Sequence, residues 1–339
     1  MPVRISLYLI FIFAFNFLSA KEVNIFTSRH YDSDIQLYKK FTKITGIDVN
    51  VISGKAKALE KRIVEEDKDS NADLVIVADV GALYSFEKKG LLQKTRSKIL
   101  KKNIPNHLRN DYWFGITKRS RILFYNPDLI KSEDLVDITY EDLSKQKWKN
   151  KILVRKSDNI YNQSLVASII ENNSTKFTET WVKGLVNNMA RKPRGNDRAQ
   201  LLALASGEGT IAIANTYYYA LMLSGKKGED QKKAAQRIKP IFPNQTNRGT
   251  HINISGGAVL KYSKNKENAV KLLEFLTTDF AQKHIVDNTY EYSILENVEP
   301  NPIVKKMTGN IVEDVTTDIS SFGKFQSKAL EIMLKNGWQ

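Results

Sequence analysis

Fourteen tyrosines, four histidines and no cysteine define the donor atoms open to this chain of 339 residues. Without cysteine there are no thiol nucleophiles, iron–sulfur clusters, cysteine zinc sites or disulfides. Three tyrosine groups sit where a core role explains them poorly. His30-Tyr31, in Ser28-Arg29-His30-Tyr31-Asp32, follows directly after a short apolar run. Tyr161 opens a helical stretch in Asn159-Ile160-Tyr161-Asn162-Gln163-Ser164, and Tyr217-Tyr218-Tyr219 begin another after Asn215-Thr216, a good capping pair. In open α/β sheets ligands gather beyond the carboxyl ends of strands. Helix N-termini there favour negative charge by roughly 0.3–1 kcal/mol when exposed. A phenol of pKa ~10 ionises near neutral pH only beside a strong cation, and a bound metal deprotonates its ligands. Phenolate is a hard anionic oxygen donor that suits Fe³⁺ far better than Zn²⁺ or Cu⁺. Four phenolates around Fe³⁺ leave a net negative charge, so an arginine nearby is expected. The same aromatic clusters also suit stacking on a sugar or filling a core between lobes, and spacing alone leaves those uses open.

The elements that must position these groups alternate along the chain. Val23–Phe26 reads as a strand, followed by a helix over Ser33–Thr45 with Ile35, Tyr38, Phe41 and Ile44 at helical spacing, ending at Gly46. Ile47–Ile52 and Ala72–Val77 read as strands, with helices Ala56–Glu66 and Gly81–Lys89 between and after them. This order predicts a mostly parallel, doubly wound α/β sheet with helices on both faces. Further on come strands at Arg121–Tyr125, Ile152–Val154, Thr210–Ala214 and Gly256–Tyr262. Helices are expected at Tyr161–Asn172, through Leu201–Ala205, from Tyr217 and over Asn265–Phe280. Gly225–Lys233 reads as a polar surface loop, Glu299-Pro300-Asn301-Pro302 as a turn, and the last thirty residues as helical. No Pro/Gly/Ser-rich linker interrupts the chain, so two lobes would be joined by crossing strands.

Arg4 precedes nine uninterrupted apolar residues, Leu7–Phe15, and the stretch closes at Leu18-Ser19-Ala20 before Lys21-Glu22. A basic start, a short apolar run and a small residue at the exit make a secretory signal peptide over 1–20, cleaved after about Ala20. The run is shorter than the ~20 residues needed to span a bilayer. The formal charge is +15, or about +14 once Arg4 is removed. Its lysines are scattered in pairs such as Lys88-Lys89, Lys101-Lys102, Lys226-Lys227 and Lys232-Lys233. With no basic block interleaved with aromatics, the reading is a solvated basic surface rather than nucleic-acid binding.

Taken together these segments resemble the ferric-iron-binding periplasmic proteins of ABC transporters, particularly the tyrosine-rich cyanobacterial-type branch. The matching stretches run through most of the chain: VNIFTSRHYD (23–32), ADLVIVADVGALYSFEKKGLL (72–92), YWFGITKRSRILFYN (112–126), WKNKILVR (148–155), NIYNQS (159–164), IANTYYY (213–219) and RGTHINISGG (248–257). The paired tyrosines after Asn215-Thr216, combined with His30-Tyr31, are the specific feature. The resemblance implies a type II periplasmic-binding-protein fold, two α/β lobes joined by two crossing strands that close on the ion like a hinge. Lobe 1 would comprise 21–118 plus 252–305 and lobe 2 119–251 plus 306–339.

Carried over by that resemblance, Tyr31 supplies a ligand from lobe 1, and Tyr161, Tyr217 and Tyr218 supply ligands from lobe 2. His30 matches a position that ligates iron in some members and only adjoins the site in others. The acidic ligand of the anion-assisted branch has no clear match after Ala72-Asp73, which favours a site that needs no co-bound anion. Three successive helix residues point ~100° apart, so Tyr219 is the expected non-ligand of its triplet. Arg121 is the candidate neighbouring charge and Arg198 a weaker one; His107, His251 and His284 read as structural, with His251 near a hinge.

The implied function is capture of iron, as Fe³⁺ or Fe²⁺, outside the cytoplasmic membrane by a monomer that hands it to an inner-membrane ABC permease. A binding protein of the same fold for an organic or anionic solute is the alternative, distinguished by colour. A secreted hydrolase is opposed by the absence of G-x-S-x-G, H-E-x-x-H and P-loop motifs.

Overall fold

A computed structural model describes residues 21–29 and 31–339. The leader assigned to 1–20 and His30 both lie outside the described residues. The chain opens with β1 (Glu22–Thr27), α1 (Asp32–Thr45), β2 (Asp48–Ser53), α2 (Ala56–Glu66) and β3 (Leu74–Val77). Here β1 lies between β2 and β3 and runs parallel to both. Next come α3 (Val80–Lys88), α4 (Lys98–Asn103) and the long β4 (Phe114–Tyr125). The following stretch contains β5 (Ile152–Leu153), α5 (Ile160–Asn172), α6 (Thr175–Asn187), α7 (Asp197–Ala205), β6 (Ile211–Asn215), α8 (Thr216–Leu223), α9 (Glu229–Gln236) and β7 (Lys239–Ile241). The chain then returns through β8 (Ile252–Val259) to α10 (Lys266–Leu276), α11 (Asp279–Thr289) and β9 (Tyr292–Ser293). It ends with α12 (Pro302–Thr308), α13 (Ser320–Lys324) and α14 (Gln326–Lys335).

One strand ties the two halves together. The first part of β4 pairs antiparallel with β8 and β9, and its second part pairs antiparallel with β6 and β7. The strand order β2-β1-β3-β8-β4-β6-β5 therefore runs through both halves without a break. Chain return between the halves passes through His251 into β8, beside Arg121 of β4, whose N–H donates to the His251 carbonyl at 3.2 Å. At Gly256 the backbones approach so closely that a Cβ would lie 2.7 Å from the Phe114 carbonyl oxygen. A side chain there would force the two crossing strands apart.

Several expectations hold in outline and differ in detail. The sheet is mixed rather than mostly parallel: β1–β3 and β5–β6 are parallel, while the strands between them are not. Arg121–Tyr125 is only the end of β4, because the polar run Thr117–Ser120 before it stays extended and paired with β8. On α1 the inward face is Asp34, Leu37, Tyr38 and Phe41, whereas Ile35 and Ile44 are 49% and 60% exposed. The Gly225–Lys233 segment is not all loop, since Glu229 starts α9. The single helix expected over Asn265–Phe280 breaks at Thr278, whose side chain caps a new helix by accepting from Ala281 N–H. The strand expected at Gly256–Tyr262 begins earlier, at Ile252, and the expected turn at Pro302 opens α12.

Candidate metal centre

Each tyrosine group lies at a place where a strand hands over to a helix. Tyr31 occupies the N-cap position of α1, four residues after β1, in extended conformation (φ −102°, ψ 124°). Tyr161 is in the first turn of α5, and Tyr217 and Tyr218 are in the first turn of α8, directly after β6. All four border one cleft of about 790 Å³, together with Asp32, Arg198, Lys226, Lys227 and Tyr290. The Tyr217 hydroxyl donates to the Tyr161 oxygen at 3.3 Å, and the Tyr217 and Tyr218 rings lie 4.2 Å apart. Tyr219 turns away: its hydroxyl donates to the Ile238 carbonyl at 3.0 Å and its ring packs on Phe124. The ~100° step of a helix separates it from its two neighbours.

Burial and mutual proximity keep the phenols of Tyr31, Tyr217 and Tyr218 protonated in the free protein. Burial is the main cause of the raised Tyr217 pKa, and Tyr161, Tyr218 and Tyr31 each oppose its ionisation further. Tyr218 is pushed up to about 12 by burial, then by Tyr161 and Asp197. Burial also raises Tyr31, with Glu291 adding to the effect and Arg29 opposing it. Three oxygens that resist ionisation, those of Tyr31, Tyr217 and Tyr218, gathered at one cleft suit a highly charged cation. Among the described residues no cluster of three or more His, Asp or Glu side chains offers a competing metal site.

The cations behind the phenols are arginines in buried ion pairs. Arg121 is buried and donates to Asp197 Oδ1 at 2.9 Å, Asn215 Oδ1 at 2.8 Å and Asn162 Oδ1 at 2.6 Å. Asn215 therefore spends its side chain on Arg121 and not on capping α8, contrary to the expectation from the Asn-Thr pair. Arg155 Nη1 donates to Asp197 Oδ2 at 2.7 Å, so this trio keeps one surplus positive charge. The guanidinium of Arg155 lies 6.0 Å from the Tyr161 ring centroid, and that of Arg119 lies 5.3 Å from it. Arg198 borders the cleft and donates to Gln231 at 3.3 Å.

Arg119, Asp79 and Arg29 belong to the surroundings of the site and were not singled out in the sequence, whereas His251 and His284 are the structural histidines expected there. Arg119 lies two positions before Arg121 on β4, and the period of two in a strand is the signal that could have paired them. Asp79, at the N-cap of α3, accepts from Gly81 N–H, Ser164 Oγ–H at 2.9 Å and Asn253 Nδ2–H at 3.0 Å, with Arg119 at 3.6 Å. It ties α3 to α5 beneath Tyr161. Arg29 is paired with Asp34 and Glu291 and stands 4.8 Å from the Tyr31 ring centroid. His251 is buried and pushed down to about 3 by burial, then by Arg121, Arg119 and Arg248, which leaves it neutral beside the crossing strands. His284 Nε2 contacts the Ser33 carbonyl at 2.9 Å, a structural link between α11 and the start of α1.

The chain is 43% identical to iron uptake protein A1 of Synechocystis over 321 residues, 94% of this chain and 88% of the relative. The solved structure of Trichodesmium FutA in complex with iron and citrate ligands superposes with TM-score 0.89 at 43% identity, covering 94% of this chain and all of that one. A ferric binding protein from Campylobacter jejuni superposes with TM-score 0.87 at 39% identity, again covering 94% and 100% of the two chains. The architecture is accordingly the type II periplasmic-binding-protein fold, a mixed α/β fold with two lobes. Residues 28–283 match the family model for bacterial extracellular solute-binding proteins, and with that match and those relatives, this chain belongs to the bacterial extracellular solute-binding protein family.

Proposed function

We propose that the protein captures ferric iron in its cleft through Tyr31, Tyr161, Tyr217 and Tyr218 and delivers it to an inner-membrane ABC permease. Solute-binding proteins of this family work with ABC transporters and are not enzymes. The observation that carries the reading is the gathering of four phenols, from three separate chain segments, around one cleft free of any alternative donor cluster among the described residues. Hard anionic oxygens select Fe³⁺ over softer ions, and Fe²⁺ would bind the same set less tightly for want of charge.

In this reading lobe 2 holds the ion first, because three of the four oxygens belong to it. Tyr31 then arrives from lobe 1 as the lobes close. Lobe 1 comprises 21–118 plus 252–305 and lobe 2 119–251 plus 306–339. Arg121 and Arg155, which share Asp197 and keep one surplus positive charge, and Arg198 at the cleft wall offset the negative charge of the ferric tetraphenolate. His30 or water completes the shell. The protein acts as a periplasmic monomer freed of residues 1–20 and binds no nucleic acid.

The test is metal analysis with a visible spectrum of protein purified without chelator. One iron per chain and a phenolate-to-iron charge-transfer band are expected. A colourless protein that retains an organic or anionic solute would refute the ferric reading and favour the alternative carrier.

A further inference from the structure

Tyr31 is the one candidate phenol ligand that comes from lobe 1, and its side chain makes no capping hydrogen bond at α1. What faces its ring is the Arg29 guanidinium, 4.8 Å from the centroid. That guanidinium is itself held from three elements. Its Nε–H donates to Asp34 Oδ2 on α1 at 2.9 Å and its Nη2 to Asp34 Oδ1 at 3.4 Å. Its Nη1 donates to Glu291 Oε2, just before β9, at 2.8 Å and to Thr117 Oγ1 on β4 at 3.3 Å. Thr117 in turn donates to the same Glu291 oxygen at 3.1 Å. Arg29, Asp34, Thr117 and Glu291 are all buried.

A planar fork gripped along its edges has one orientation, and a lysine ammonium offers no such plane. Buried ion clusters of this kind seldom stabilise a fold more than apolar packing would. The cluster therefore calls for a role in geometry. We propose that Arg29 is a positioning residue for Tyr31: clamped by Asp34, Glu291 and Thr117, it sets the ring angle from which the phenol oxygen meets an ion carried by lobe 2. The proposal rests on the reading of Tyr31 as an iron ligand.

A double-mutant cycle tests it. Iron-loaded parent, Arg29→Lys, Tyr31→Phe and the double variant are mixed with excess chelator, and the loss of the visible band gives the release rate. Thermal unfolding of each is recorded in parallel. Arg29→Lys is expected to release iron about tenfold faster or more, the scale of a desolvated cation–π contact. In the Tyr31→Phe background the same change should alter release by less than twofold, because the ring no longer carries a donor. Equal acceleration in both backgrounds would mean general loosening of lobe 1 and would overturn the proposal, as would parent-like release by Arg29→Lys. If that variant does not fold, Thr117→Val removes one clamp without removing a charge, and the same cycle is read with it. Parent-like release by Tyr31→Phe alone would instead refute the ligand reading, and this proposal with it.

Discussion

Replacing Tyr218 by Phe removes one oxygen and leaves the ring against Tyr217, 4.2 Å away. The Tyr218 phenol stands at about 12, raised first by burial. Ionising it at pH 7 without an ion therefore costs about 5 pH units at ~1.36 kcal/mol each, or about 7 kcal/mol. It is protonated in the free protein, and so are Tyr31 and Tyr217, which are held well above the ordinary phenol value. A ferric ion that binds all three as phenolates must displace about three protons from them. With Tyr161 as the fourth ligand, the logarithm of the apparent binding constant then rises by at least about three per pH unit, and lowering the pH by one unit weakens binding at least about a thousandfold. For Tyr218→Phe both the proton release and the slope should fall by one. The assay is a pH-stat titration of weakly buffered protein with one ferric chelate, so that the chelate's own protons cancel between parent and variant. Chelator competition between pH 6 and 8, followed by the visible band, gives the slope independently. Equal proton release from parent and variant, or release of fewer than two protons by the parent, would refute the assignment.

Tyr219→Phe should leave the iron band intact, because its hydroxyl is spent on Ile238 in the core. Denaturant unfolding should show a loss of about 1–2 kcal/mol from that buried hydrogen bond. Tyr31→Phe should still bind iron weakly through lobe 2, with a shifted band, but solution scattering should no longer show the contraction expected of the parent on loading. Asp197→Asn removes the charge that Arg121 and Arg155 share, and stranding the buried Arg121 beside the half-buried Arg155 should cost about 3–5 kcal/mol in urea unfolding. A parent-like midpoint would mean that the trio is more hydrated than its burial indicates.

Much of this was legible locally. The helix Ala56–Glu66 is read from its own periodicity to the residue, and Gly46 closes α1 with φ +70°, a conformation that suits glycine. The tyrosines at 31, 161, 217 and 218 stand out because strand-to-helix junctions are themselves written in short segments. Other features depended on distant partners. Thr117–Ser120 looks like a polar interruption until β8 is beside it, since a hydrogen-bonded neighbour keeps even a polar run extended. Ile35 and Ile44 fit a helical apolar stripe as well as Leu37 does, and only the packing of α1 decides which of them face inward.

The sequence by itself determined the alternation of strands and helices, the chemical class of the donors and the chain segments that carry them. It did so because periodicity, capping and donor hardness are properties of neighbouring residues. The tertiary structure alone decided which charges stand behind those donors. Arg29 and Glu291 are 262 positions apart, and Arg121 and Asp197 are 76 apart. Nothing local distinguishes such a pair from two solvated surface charges, and only folding removes the water that would otherwise screen them. The same holds for Asn215, which looks like a helix cap in its own segment and becomes a partner of Arg121 once β6 lies beside β4.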